Sequence, residues 1–180
     1  MVVLGLGNPG DEYTGTRHNC GFRVVDYLGE KTGIELRKKF FKKYIYGKGV
    51  FKGKEIFLIK PLTFMNNSGQ VIRDVLKAAE CTTKDIIVVC DNMDLFPGVL
   101  RIKRGGGDAG HNGLKSIMTF VSTSIIIISS QKPSQLIAIR SKSLKQYAVH
   151  LLHYCQYLFF RLQRKTSFYL AYSVWMQYLR

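Results

Sequence analysis

One histidine, one carboxylate and several carboxamides are the parts needed to cut an ester with water, and this chain carries them in distinctive local frames. His18 stands in Thr16-Arg17-His18-Asn19 and Asp91 in Asp91-Asn92-Met93-Asp94. Asn8 follows Gly5-Leu6-Gly7, Asn66 lies in Thr63-Phe64-Met65-Asn66-Asn67-Ser68-Gly69, and His111 and Asn112 close the run Gly105-Gly106-Gly107-Asp108-Ala109-Gly110. An imidazole can take a proton from water and a carboxylate can orient that imidazole. An amide both donates and accepts hydrogen bonds. Taken singly, each has a plain alternative: a helix-start histidine for His18, a loop histidine for His111, a solvated turn for Asp91 and Asp94.

Other chemistries compete for the same residues. Gly5-x-Gly7-x-x-Gly10 is a literal dinucleotide fingerprint after a strand, but that motif needs a helix to start at once. Here Pro9-Gly10-Asp11-Glu12-Tyr13-Thr14-Gly15 reads as a turn and sets two acids where a phosphate would sit. A metal site from Asp91, Asp94 and His111 lacks diagnostic spacing. The Gly105–Gly107 run has no Gly-Lys-Ser/Thr ending and is not a P-loop, yet Lys103 and Arg104 beside it suit a phosphate backbone.

The elements that must position these groups follow from periodicity. Val2–Leu6 reads as a buried strand closed by a Gly/Pro turn, and Phe22, Val25 and Leu28 as one helix face ending near Gly29 or Gly33. Tyr44–Val50 and Glu55–Ile59 form a hairpin around Lys52-Gly53-Lys54. Val71, Val75, Leu76 and Ala79 predict a second helix with Ser68 as its cap. Ile86–Val89 and Val99–Lys103 predict strands, and Leu114–Phe120 opens a third helix. Strands alternating with helices predict an α/β fold: a single three-layer domain, a mixed sheet flanked by helices, with a divergent C-terminal part.

A length of 180 residues suits one domain with a sizeable core. The formal charge of +15 favours a polyanionic partner, nucleic acid before an anionic membrane surface. Cys20, Cys81, Cys90 and Cys155 form no C-x-x-C pair, which predicts reduced thiols in a cytoplasmic protein. No signal peptide and no membrane-spanning run is expected.

The composition breaks sharply. All 17 glycines and all 12 acids lie at or before Gly113, whereas residues 116–180 carry eight Lys/Arg and no Gly, Asp or Glu. From average usage, such a stretch arises by chance on the order of once in a million. A basic appendage and disorder are two explanations, but the segment is rich in Phe, Tyr, Leu and Ile, which fits disorder poorly. A change of reading frame between about Ile117 and Ser130 accounts for it best; the other two frames of the coding DNA test this.

Together, Gly5-Leu6-Gly7-Asn8-Pro9-Gly10, Tyr13-x-x-Thr16-Arg17-His18-Asn19-x-Gly21, Lys60-Pro61-x-Thr63-Phe64-Met65-Asn66-x-Ser68-Gly69, Asp91-x-x-Asp94-x-x-Pro97-Gly98 and Gly105-Gly106-Gly107-x-x-Gly110-His111-Asn112-Gly113-Leu114-Lys115 resemble bacterial-type peptidyl-tRNA hydrolase. The resemblance implies hydrolysis of the ester between a peptide and the 3′-terminal ribose of tRNA, by a cytoplasmic monomer with no cofactor, metal or membrane partner. It implies His18 as general base and Asp91 as the carboxylate that orients it. Asn8, Asn66 and Asn112 match substrate-positioning amides, with His111 beside Asn112. Tyr13 and Phe64 match contacts to the tRNA end, and Lys103 a grip on tRNA phosphate. Members of the family continue with a core strand bearing an Arg-x-x-Ile-Gly-x-Gly-x-Pro-like signature. Residues 116–180 contain none, so the resemblance also implies loss of that strand and its arginine. The expected division is a hydrolase-like α/β domain at 1–117 and a divergent, basic, Gly- and acid-free tail at 118–180. The alternative function is a catalytically impaired tRNA- or RNA-binding remnant; a Rossmann-type cofactor binder stands third.

Overall fold

The structure is a computed structural model that describes residues 1–51, 53–95, 100–121 and 125–130. Of the expected tail, only residues 118–121 and 125–130 are described; the remainder of 118–180 lies outside the described residues. Among the described residues, seven strands form one mixed sheet. They are β1 (Val2–Gly5), β2 (Arg37–Lys38), β3 (Tyr44–Phe51), β4 (Lys54–Pro61), β5 (Ile86–Asp91), β6 (Leu100–Arg104) and β7 (Ile126–Ser130), in the order β2-β3-β4-β1-β5-β7-β6. The helices are α1 (Cys20–Thr32), α2 (Ile72–Ala78) and α3 (Asn112–Met118).

Strand β1 lies parallel to both β4 and β5, pairing Leu4 with Ile59 on one side and Val88 on the other. Parallel strands covered on both faces read as continuous apolar runs, and Val2-Val3-Leu4 and Ile86–Cys90 are buried throughout. The pleat then divides them. Val2, Leu4, Phe57, Ile59, Ile86, Val88 and Ile127 share a core with Ile72 and Val75 of α2 and Leu114 and Ile117 of α3. The opposite face meets α1, which packs on β1, β4 and β5. A helix, a sheet and a second pair of helices make the three layers expected. Gly33, at φ 68°, ends α1, and its N–H bonds the Gly29 carbonyl.

Gly21 sets how closely α1 approaches the sheet. A Cβ there would overlap the backbone of Leu6 and the Val89 carbonyl, so only glycine lets the start of α1 lie against the ends of β1 and β5. This also disposes of the dinucleotide reading. After Gly10 the chain makes a 3-10 turn, Asp11–Tyr13, and α1 does not begin until Cys20, so no helix follows the glycine loop directly as the fingerprint requires. Gly5 and Gly7 instead make room for α1 and the residues just before it, since Cβ atoms there would strike Gly21, Phe22 and Asn19.

Two expectations need correction. Ser68 does not cap the second helix: it lies inside a 3-10 segment, Met65–Val71, which runs directly into α2, and its hydroxyl donates to the Met65 carbonyl. The core strand expected to be lost is present. Strand β7 fills the slot between β5, to which it is parallel, and β6, to which it is antiparallel. Its side chains Ile127 and Ser129 are buried, as is Ile125 just before it. A buried parallel strand requires a short β-branched apolar run rather than a particular signature, and Ile125–Ile128 supplies one.

Candidate active site

The parallel trio β4, β1 and β5 ends along one edge of the sheet, the edge where open α/β sheets bind ligands. Asn8 follows β1, Phe64 to Asn66 follow β4, and Asp91 is the last residue of β5. His18 arrives from a 3-10 turn, Arg17–Asn19, placed by the close approach of α1. His111 arrives as the residue capping α3.

Asp91 is only 4 % exposed and accepts from two rings. His18 Nδ1 lies 3.0 Å from Oδ2, and His111 Nε2 lies 3.0 Å from Oδ1. The hydrogen-bond pattern assigns the tautomers. His111 Nδ1 accepts from the N–H groups of Gly113 at 3.1 Å and Leu114 at 3.3 Å, so its proton sits on Nε2 and is donated to Asp91. His18 donates from Nδ1, which leaves the Nε2 lone pair unused on a side chain that is 50 % exposed. Burial alone would push the Asp91 carboxyl up. The hydrogen bond from His111 and the positive charge His18 can carry outweigh it and hold the group below the ordinary carboxylate range.

A second cluster fixes Asn8. The buried amide of Asn19 accepts from the Asn8 N–H at 2.7 Å and donates to the Asn8 carbonyl at 3.0 Å. The Asn8 side-chain oxygen accepts from the Met65 N–H at 2.7 Å. A backbone N–H can only donate, so the Asn8 amide is oriented with its NH2 outward and unpaired among the described residues. Gly113 packs on the Met65 sulfur, which sets the exposed amides of Asn66 and Asn112 at two neighbouring helix starts. Tyr13 and Phe64 meet edge to face, with centroids 6.3 Å apart. Lys103 stands apart, on the sheet's outer strand β6, with its ammonium on the Gly107 carbonyl at 2.8 Å.

The structure therefore brings together His18, Asp91, His111, Asn8, Asn66, Asn112, Tyr13 and Phe64, and leaves Lys103 at the base of the glycine loop. Sequence reasoning missed Asn19 as the clamp on Asn8; its signal was its place beside His18 in the Thr-Arg-His-Asn frame. It also missed the bond from His111 to Asp91. The carboxylate and the two imidazoles offer ligand atoms within 4.8 Å of one another, a set that suits a transition ion, and Asp94 is not part of it. The thiols nearby are not nucleophiles: burial and the Asp91 charge raise Cys20 well above its ordinary range and Cys90 to about 12.

Residues 2–126 match the sequence model of the peptidyl-tRNA hydrolase family, nine residues beyond the boundary expected at 117. The peptidyl-tRNA hydrolase of Caldanaerobacter subterraneus subsp. tengcongensis is 46 % identical over 122 residues, 68 % of this chain and 65 % of that protein. That of Bacillus subtilis is 42 % identical over 124 residues, 69 % of this chain and 65 % of that protein. Among solved structures, the peptidyl-tRNA hydrolase of Acinetobacter baumannii superposes with a TM-score of 0.75 at 32 % identity, over 87 % of each chain. The matched region thus spans just under two thirds of the curated relatives' length. A match of that extent, on a shared fold, means that the chain belongs to the peptidyl-tRNA hydrolase family.

Proposed function

We propose that this chain hydrolyses the ester joining a peptide to tRNA, as a cytoplasmic monomer that needs no metal for the steps below. The observation that carries this reading is the His18 ring held by buried Asp91 through Nδ1, with Nε2 open to solvent. Nε2 takes a proton from water as the water attacks the ester carbonyl, and Asp91 stabilises the imidazolium that forms. The proton then passes from Nε2 to the departing 3′ oxygen of the ribose. The outward NH2 of Asn8 donates to a peptide carbonyl, and Asn66 and Asn112 hold the rest of the peptide or the developing oxyanion. A blocked, neutral nitrogen fits among these amides, whereas a free ammonium finds the Asp91 carboxylate already engaged by two histidines. Tyr13 and Phe64 offer faces to the terminal bases, and Lys103 an ammonium to phosphate.

The amide clamp and the paired histidines favour hydrolysis over an inactive RNA-binding remnant, since binding alone requires neither. The test is release of an N-acetylated amino acid from tRNA, with free aminoacyl-tRNA alongside. Cleavage of the blocked substrate alone is expected. Folded protein that binds tRNA without cutting it would establish the remnant instead. Among the described residues, no helix is long and apolar enough to cross a membrane.

A further inference from the structure

The turn between β2 and β3 exposes two aromatic rings to solvent. Phe40 is 85 % exposed and Phe41 95 %, and their rings meet edge to face with centroids 4.9 Å apart. The turn is closed by the Lys42 N–H on the Lys39 carbonyl, and Phe41 occupies its third position at φ 65°. That is the position of a type II turn where the left-handed region calls for glycine or asparagine. A bulky side chain there is strained, and burial does not explain its presence, because the ring lies in solvent and meets the likewise exposed ring of Phe40.

The turn is nonetheless firmly held. Lys42 pairs with Asp74 of α2 through contacts of 2.7 and 2.8 Å, and the Lys43 carbonyl accepts from the Leu62 N–H at 2.7 Å. Lys38, Lys39 and Lys43 are exposed, with no acidic partner among the described residues. The result is a fixed knuckle of two ring faces flanked by unneutralised ammonium groups.

Its place in the fold gives it a use. Because β3 runs antiparallel to β4, with Tyr44 opposite Pro61, the start of β3 lies at the same sheet edge as the ends of β4, β1 and β5. The knuckle is two strands from Asn8, roughly 10 Å by strand spacing. Between them stands Phe64, itself 57 % exposed, and Leu62, which binds the knuckle, is two residues before it.

We propose that Phe40 and Phe41, with Lys38, Lys39 and Lys43, form a second RNA-binding site that stacks unpaired bases of the RNA whose ester is cleaved at His18. Ring faces with interleaved cations are the combination that holds single strands without regard to sequence. This assignment rests on the tRNA substrate proposed above; the knuckle's chemistry alone requires only RNA with unpaired bases.

The test compares the parent chain with Phe40→Ser/Phe41→Gly on three probes: deacylated tRNA, a 12-nucleotide single-stranded RNA and a blunt RNA duplex. Glycine suits the left-handed position, so the variant keeps or gains melting temperature and a folding defect is not expected. The variant should bind tRNA and the single strand on the order of tenfold more weakly, with duplex binding unchanged. Lys39→Gln/Lys43→Gln should instead flatten the salt dependence of single-strand binding by roughly 0.7 per lysine. Equal affinity of variant and parent for the single strand, an equal loss on the duplex, or a parent that binds none of the three overturns the proposal. A change in oligomeric state with RNA affinity intact assigns the rings to self-association and overturns it too. A parent that binds the single strand but does not cleave peptidyl-tRNA refutes the hydrolase reading, while the knuckle is still judged by the same three affinities.

Discussion

Two histidines reach the same buried carboxylate from different elements, and the proposed hydrolysis asks different work of them. His18 stands in a turn before α1, half exposed, with one nitrogen committed and one open. His111 caps α3, is 11 % exposed, and has both nitrogens committed, one to Asp91 and one to the backbone of Gly113 and Leu114. A base needs an unused lone pair facing solvent or substrate, which only His18 has. A strut needs every polar atom satisfied, which is the state of His111. The same residue type on the same partner is thus divided by burial and by the number of bonds already made.

The largest effect should come from removing the open ring. His18→Ala is expected to lower kcat by about 10³-fold, the scale of general-base catalysis, with stability changed by no more than about 1 kcal/mol because the ring is half in water. Single-turnover hydrolysis of N-acetylaminoacyl-tRNA and a thermal melt read the two quantities. If rate survives, the base lies elsewhere. Asp91→Asn should cost on the order of 10²-fold and sharpens the comparison. With the Asn oxygen held by the His111 Nε2–H, its NH2 faces His18 Nδ1 and donates to it. The proton on His18 is then driven to Nε2, and the lone pair that would take water's proton is lost. The fold survives that exchange and the base does not. A rate within threefold of the parent would mean that the Asp91 charge and the His18 tautomer are irrelevant to the reaction.

His111→Ala should show the reverse balance. The loss leaves the N–H groups of Gly113 and Leu114 without their acceptor and Asp91 with one donor fewer. The cost is about 2 kcal/mol of stability, with activity down only about tenfold through a looser Asp91. Urea unfolding and kcat measured on the same preparations decide it. A rate loss as large as that of His18→Ala, at unchanged stability, would erase the distinction between base and strut.

How far this was legible in the sequence follows from what each feature depends on. His18 and Asp91 could be read because each sits in its own local frame, and the strands and α1 because periodicity is a local signal. The His111–Asp91 bond could not: it depends on α3 starting at Asn112 and on the direction of β5, twenty positions away. Asn19 was hidden because an amide beside His18 looks like substrate chemistry, whereas here it braces backbone. Strand β7 was misjudged because a missing signature was taken for a missing strand, although β-propensity and burial needed only the isoleucines. The Phe41 turn had no Gly, Asn or Pro to announce it.

The smallest predicted effect concerns acid, and it tests the carboxylate the two rings share. The Asp91 pKa is depressed in the folded chain. A depressed carboxyl stabilises the fold at any pH above its unfolded value, about 3.9 for aspartate, and that contribution is lost as pH falls towards and through the lower folded value. Asp91→Asn has no such group to titrate. Melting temperatures of parent and variant, compared from about pH 5 down to about pH 3, should therefore converge below about pH 4. His111→Ala should narrow the same gap from the other side, because it removes the hydrogen bond that does most to lower the carboxyl, whereas His18→Ala removes mainly a charge that water already screens. A larger acid shift from losing the exposed ring than from losing the buried one would reverse the roles given to the two histidines.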